Sequence, residues 1–296
     1  MLLREKVLLI VNPAAGKMQA KSAMLDVLSK LNELGAEVTV LTTESRGQAT
    51  EYAREYASRF SRIICCGGDG TLNEVVNGLL ETDASVRLGY IPAGSTNDFA
   101  SGLGLSKDLV KSAEAAYSGN VRKLDIGSFN GRKFVYVASF GLFSAASYSA
   151  SQSIKNILGH TAYVLKGAEE LARIQEYTVK VNVDGETIEG PFIHGSICNA
   201  MSIGGILKVD PSMVDLSDGK FEIMLVKPLK KPDSLARLIN VVRTHKPDPE
   251  VMEFRHGSHI TVEFEEPQPW SLDGEREEGT RLVEIQNLHQ AIDLVC

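Results

Sequence analysis

Ile63-Ile64-Cys65-Cys66-Gly67-Gly68-Asp69-Gly70-Thr71-Leu72-Asn73-Glu74 is the stretch on which the fold turns. Its first four residues are an unbroken apolar run, the mark of a short strand buried on both faces. The run stops at Gly67-Gly68, and residues 72–80 carry helical periodicity. Strand, glycine turn and helix in that order make half of a parallel βαβ unit. The flanking chain repeats the grammar. Residues 7–11 are apolar and end at Asn12-Pro13, and residues 17–34 have helical spacing and end at Gly35. Residues 37–41 read as a strand, 48–60 as a helix, 88–91 as a strand and 92–96 as a loop. Short apolar strands alternating with helices imply a parallel sheet covered on both faces.

After about Asp125 the texture changes. Strands are expected over residues 133–139, 178–183, 187–190, 193–198, 221–226, 260–264 and 282–285, and helices over 154–174 and 233–243. Asp184-Gly185 between two such runs signals a hairpin. The chain thus reads as an α/β domain followed by a mostly antiparallel β domain, which its 296 residues accommodate. With 31 Lys+Arg against 38 Asp+Glu, the net charge of −7 argues against a nucleic-acid partner, because that affinity rests on phosphate neutralisation. Residues 134–154 lack charge but hold too many serines for a hydrocarbon span. At the N-terminus, Arg4, Glu5 and Lys6 precede an apolar run shorter than the roughly 7–15 residues of a secretory signal. Cys65, Cys66, Cys198 and Cys296 lack CxxC spacing and read as reduced core thiols.

Three loops after three parallel strands should line one cleft, because ligands on open α/β sheets bind beyond the carboxyl ends of the strands. They are Asn12-Pro13-Ala14-Ala15-Gly16-Lys17, the Gly67–Glu74 loop quoted above, and Gly94-Ser95-Thr96-Asn97-Asp98-Phe99-Ala100. Gly67, Gly68 and Gly70 let backbone approach a ligand, and the amides at the following helix start suit phosphate oxygens. Asp69 would repel a bare phosphate and suits Mg²⁺ or a water of its shell. GGDG is equally an ordinary tight βα turn, and neither GxxxxGK[ST] nor GxGxxG occurs.

Taken together, NPxxGK, GGDGTxNE and GSTNDFA resemble the diacylglycerol kinase catalytic-domain family, which includes soluble bacterial diacylglycerol kinases and sphingosine kinases. The resemblance continues through Lys123-Leu124-Asp125-Ile126-Gly127, Asp218-Gly219-Lys220 and Leu272-Asp273-Gly274-Glu275. It departs from the family at Ser95, which keeps a hydroxyl, and after Phe140, where the usual glycine-rich segment is absent. The resemblance implies a Rossmann-like α/β nucleotide-binding domain over residues 1–125 and a mostly antiparallel β-sandwich domain over 126–285. Residues 286–296 would form a strand returning to the first domain.

The resemblance also implies ATP as donor, Mg²⁺ as cofactor and the hydroxyl of diacylglycerol as acceptor. On the matching positions, ATP would be met by Asn12, Pro13, Ala14, Ala15, Gly16, Thr43, Gly67, Gly68, Asp69, Gly70, Thr71, Leu72, Asn73 and Ser95. Lys17 is either a phosphate partner or a solvated helix start, and Thr43 is also a candidate helix N-cap. Asp69, Asn97, Asp98 and Asp125 would organise the catalytic Mg²⁺ and its waters. Asp98 is alternatively an N-cap and Asp125 a surface turn. Glu275 matches the family's proton acceptor, although 273–278 by composition is a solvated loop. A second Mg²⁺ would take the Asp218 side chain and main-chain oxygens of Asp215 and Lys220, in a segment that is otherwise a plain Asp-Gly turn.

The implied protein is cytoplasmic and peripherally membrane-associated, meets its lipid at a membrane surface, and is compatible with a homodimer. Lys227, Lys230, Lys231, Arg237, Arg243 and Lys246 against the single acid Asp233 mark a candidate docking stretch or a solvated helix face. Rival readings are a kinase for phosphatidylglycerol or a long-chain base, an NAD kinase, and a silent nucleotide or lipid sensor. The NPxxG and LDGE elements disfavour NAD kinase, and the full set of carboxylates disfavours the sensor.

Overall fold

A computed structural model describes residues 4–142, 174–200, 202–203, 207–208, 210–231 and 233–296. The chain divides into two compact units, Met1–Ile126 with His289–Cys296, and Gly127–Leu288.

The first unit alternates β1 (Glu5–Val11), α1 (Gln19–Glu33), β2 (Ala36–Thr42), α2 (Gln48–Tyr56), β3 (Arg62–Gly67), α3 (Asp69–Leu80) and β4 (Arg87–Pro92). Then come α4 (Asp98–Gly102), α5 (Leu109–Ser118) and β5 (Val121–Phe129), whose last residues enter the second unit. The strands pair in parallel in the order β2-β1-β3-β4. Helix α1 packs with α5, and α2 with α3. The chain therefore leaves β1 to one side and returns past it to β3, which makes the gap between β1 and β3 the switch point of the sheet. Register places Val11 beside Cys66, Cys66 beside Ile91 and Gly67 beside Pro92, so all three loops open at one level.

Local chemistry accounts for the elements. Strands β1 and β3 are apolar and buried throughout most of their length. The Asp108 carboxylate caps α5, accepting from the amides of Val110 at 2.9 Å and Lys111 at 3.1 Å. The helix expected over 48–60 ends as α2 at Tyr56 and tightens into a 3₁₀ turn at Ala57–Arg59.

The second unit contains β6 (Arg132–Phe134), β7 (Val137–Gly141), β8 (Tyr177–Val183), β9 (Glu186–Phe192) and β10 (His194–Cys198). It continues with β11 (Ser202–Ile203), β12 (Leu207–Lys208), β13 (Phe221–Val226), α6 (Ser234–Thr244), β14 (Met252–Gly257) and β15 (His259–Phe264). The last elements are β16 (Trp270–Leu272), β17 (Glu275–Glu277) and the long β18 (Leu282–Val295). One antiparallel sheet has the order β14-β13-β10-β7-β16-β17. Facing side chains come from an antiparallel set β9-β8-β15-β18. Ala138, Phe140, Ile197, Ile223 and Trp270 of the first meet Val181, Val262, Phe264 and Val283 of the second in one core, so this unit is a β-sandwich. Phe140 lies edge-on to Phe264 at 4.9 Å and to Trp270 at 5.0 Å.

Two expectations change. The single strand over 133–139 is two strands, because the Asp273 carboxylate takes the amides of Val135 and Tyr136 between them and of Val137 at the start of β7. The strand over 282–285 and the final one are a single strand, β18. Its last residues, Asp293–Val295, pair in parallel with β4 inside the first unit. The Asp184-Gly185 hairpin forms as read, with φ of 49° and 97°. The helix expected over 154–174 and the segment after Phe140 fall mostly or wholly on residues 143–173, outside the described residues. No helix among the described residues is long and apolar enough to cross a membrane.

Candidate active site

The glycine loops of the first unit pack backbone against backbone. A Cβ on Gly16, whose φ is +52°, would stand 2.0 Å from the Ala93 carbonyl oxygen. A Cβ on Gly94 would stand 2.5 Å from the Gly68 Cα. Glycine at both positions is what lets the first and second loops close against the third. Asn12 ties the first loop to the second: its Nδ2 donates to Thr71 Oγ1 at 3.1 Å, and its Oδ1 accepts the Ala14 amide at 3.0 Å. Pro13, Ala14 and Ala15 follow in the turn that leads to α1.

Helix α3 begins at the N-cap residue Gly68, and no side chain caps it. Its first-turn amides, from Asp69, Gly70 and Thr71, therefore sit at the positive end of the helix dipole without a capping oxygen. Thr71, Leu72 and Asn73 are buried, while Ser95 is exposed in the third loop. The Asp69 Oδ2 accepts the Asp98 amide at 2.9 Å, which joins the second and third loops. Asn97 closes the third loop on itself: its Oδ1 accepts the Gly94 amide and its Nδ2 donates to the Gly94 carbonyl, both at 2.9 Å. Asn97, at φ 52°, is the N-cap residue of α4, so Asp98 is the first helical residue rather than the cap. Asp125 lies within β5, fully buried, and its Oδ1 accepts the Gln290 amide at 2.7 Å.

Thr43 is not a helix cap, because α2 starts after Gly47. Its amide donates to the Val11 carbonyl at 2.8 Å, which holds the end of β2 beside the first loop. Glu74 escaped the sequence reading. Its two carboxylate oxygens accept the amides of Gly47 at 2.8 Å and Ala49 at 3.2 Å, so the glycine motif caps α2 from a distance. Nothing local marks this role, since Glu74 and Gly47 are far apart in sequence.

The Leu272-Asp273-Gly274-Glu275 motif lies in the second unit. Asp273 and Gly274, at φ 49° and 84°, make the tight turn of the β16–β17 hairpin. Asp273 is only 5% exposed. Its carboxylate accepts three amides, at 2.6 Å from Val135, 2.9 Å from Tyr136 and 3.0 Å from Val137. The solvated loop read from composition is thus a pinned hairpin. Glu275 opens β17 with its side chain 34% exposed, and the Arg132 guanidinium reaches its Oε2 at 2.9 Å.

The Asp215–Lys220 segment contains two Asx turns. The Asp215 Oδ1 accepts from the Ser217 amide and hydroxyl at 3.0 Å, and the Asp218 Oδ1 accepts the Lys220 amide at 2.9 Å. Two residues on, Glu222 is 1% exposed, and its Oε2 has no hydrogen-bond partner among the described residues. Burial, then the nearby charges of Asp218 and Asp215, push its carboxyl up to about 8. Oxygen donors beside an orphaned buried carboxyl oxygen fit a hard divalent cation. In the first unit the Asp69 carboxylate, in the second glycine loop, suits the water shell of one. Among the described residues no three His, Cys, Asp or Glu side chains gather as a ready-made cage, so main-chain oxygens and waters would complete either shell.

Four of the six cations of the candidate docking stretch have acidic partners. Lys227 pairs with Glu253, Lys230 with Glu176, Lys231 with Glu250, and Arg237 with both Asp233 and Asp248. The stretch therefore presents paired charge. Cys65, Cys66 and Cys198 are buried, and burial raises each thiol, which keeps them protonated and unreactive.

The first unit is thus a parallel α/β sheet with three glycine-containing loops at its switch point, and the second is a β-sandwich. Residues 6–129 match the diacylglycerol kinase catalytic domain, and residues 137–296 match the YegS C-terminal NAD kinase beta sandwich-like domain. A diacylglycerol kinase of Bacillus subtilis (strain 168) is 34% identical over 97% of this chain and 95% of its own length. One from Staphylococcus carnosus (strain TM300) is 31% identical over 99% and 95%. A solved Bacillus anthracis str. Sterne structure, assigned as a diacylglycerol kinase, superposes with a TM-score of 0.81 at 28% identity, over 98% of this chain and 95% of that one. The chain belongs to the diacylglycerol kinase family, and it is a lipid kinase.

Proposed function

We propose that the chain transfers the γ-phosphoryl group of ATP, with Mg²⁺, to the hydroxyl of diacylglycerol at a membrane surface, giving phosphatidic acid. The observation that carries this reading is the meeting of the three glycine loops at the carboxyl ends of β1, β3 and β4, where side chains beyond glycine would collide. The amides at the start of α3 bind phosphate oxygens, and Asn12, Thr43 and Ser95 complete the ATP contacts. Asp69 would hold the catalytic cation through its water shell, with Asp98, Asn97 and Asp125 shaping the loops and strand around it. Mg²⁺ supplies charge neutralisation on the phosphate oxygens when bound.

In the transfer, the lipid hydroxyl oxygen bonds to the γ-phosphorus and the bond from that phosphorus to the bridging oxygen breaks, so ADP leaves. Glu275 receives the hydroxyl proton. A carboxylate is a much weaker base than an alkoxide, so Glu275 accepts late and chiefly orients the hydroxyl. The Asp218 side chain and main-chain oxygens of Asp215 and Lys220 would hold a second Mg²⁺.

The test is transfer from labelled ATP with Mg²⁺ into mixed micelles of diacylglycerol, monoacylglycerol, phosphatidylglycerol or sphingosine, and into soluble NAD. The expected result is label in phosphatidic acid that falls at least a hundredfold in both Asp69→Ala and Glu275→Ala. Label in another acceptor would overturn the substrate, and lipid-independent turnover would overturn the reaction.

A further inference from the structure

Glu275 stands on a three-residue strand and its side chain is a third exposed, so a long, rotatable carboxylate needs something to aim it. Arg132 does this from β6. One terminal guanidinium nitrogen, Nη2, lies 2.9 Å from Glu275 Oε2, and the other, Nη1, contacts Glu277 Oε2. Glu275 and Glu277 are two apart on one strand, so their side chains share a face. A planar guanidinium fork spans such a pair, whereas an ammonium group is a single point of charge.

The root of Arg132 is itself held. It follows the Asn130-Gly131 turn, at φ 46° and 94°. Asn130 is bolted to β18: its amide donates to the Glu284 carbonyl, and its Oδ1 accepts the Glu284 amide, both at 2.9 Å. Just beyond β6, Asp273 grips the amides of Val135, Tyr136 and Val137. The hairpin that carries Glu275 is therefore tied to the β6 region at two points. One tie is backbone to carboxylate and the other is side chain to side chain.

We propose that Arg132 is a positioning residue for phosphoryl transfer: it fixes the plane of the Glu275 carboxylate, with Glu277 as the second anchor that stops the guanidinium from turning. It acts through Glu275 and not on substrate. This rests on Glu275 as the proton acceptor. An ion pair a third open to water adds little to folding, so the effect belongs in turnover rather than stability.

The experiment measures kcat and the KM for ATP in the lipid assay, with thermal unfolding, for Arg132→Gln, Arg132→Lys, Glu277→Gln, Glu275→Gln and the double variant Arg132→Gln/Glu275→Gln. Arg132→Gln should lower kcat about ten- to a hundredfold with the KM for ATP within twofold and the unfolding temperature near wild type. Arg132→Lys should recover part of that loss, and Glu277→Gln should cost less than Arg132→Gln. The double variant should be no slower than Glu275→Gln alone, because one function is removed twice. Wild-type kcat in Arg132→Gln alongside an inactive Glu275→Gln would overturn the positioning role alone. Full additivity in the double variant would overturn it too. An active Glu275→Gln would instead overturn Glu275 as acceptor. Should Arg132→Gln fail to fold, Arg132→Lys decides: unchanged kcat in folded protein overturns the proposal, and a reduced kcat supports it.

Discussion

Asp273 faces three amides with two oxygens, and an amide side chain cannot match that. In Asp273→Asn one of the two carboxylate oxygens becomes an NH₂ group that confronts an N–H of residues 135–137. A loss of about 1–3 kcal/mol is expected in urea unfolding, with a fall in kcat because Glu275 loses its footing. His194 gives a second residue-scale prediction. It is fully buried in β10, and desolvation lowers its imidazole to about 4 from the ordinary 6.5. The unfolded chain therefore binds the proton more readily than the folded one. Stability is fully present above pH 6.5 and is lost as pH falls towards about 4, by roughly 3 kcal/mol. Chemical denaturation across that range should show the slope, and His194→Gln should flatten it. At this scale the sequence was legible where glycines and carboxylates stand in a motif. Asp273 was hidden because a run of charged residues looks solvated, and Arg132 because its partners lie far along the chain.

Elements were legible wherever burial sets the pattern. Strands β1, β3 and β13 are mostly apolar runs, and the sequence places each to within two residues. The break between β6 and β7 was not, because its cause is a distant carboxylate. Helix α5 and strands β5, β14, β16 and β17 were missed: α5 is alanine-rich with little periodic contrast, and β16 and β17 span only three residues each. The turn between β1 and α1 carries the element-scale prediction. Gly16→Ala places a Cβ against the Ala93 carbonyl in a left-handed conformation. It should destabilise by roughly 1–3 kcal/mol and raise the KM for ATP at least tenfold, read by thermal unfolding and by the transfer assay.

Across the whole molecule, the order α/β then antiparallel β was legible because the two halves differ in period and in connection length. The length of β18 was not, since residues 286–290 are polar apart from Leu288 and break the apolar pattern. The strand nonetheless continues, because each end has a partner: β15 in the second unit and β4 in the first. A chain shortened to residues 1–288 should thus leave the β4 edge bare. It should aggregate during purification, and monodisperse behaviour in gel filtration would refute this.

Synthesis on the ribosome proceeds from the first residue to the last, and β18 sets its schedule. Most of the first unit is made first, yet its sheet lacks a strand until Asp293–Val295 emerge. Asp125 likewise waits for the amide of Gln290. The first half cannot mature by itself while the second is still being translated. A product that stops inside the second unit therefore lacks the strand that covers the β4 edge of the first.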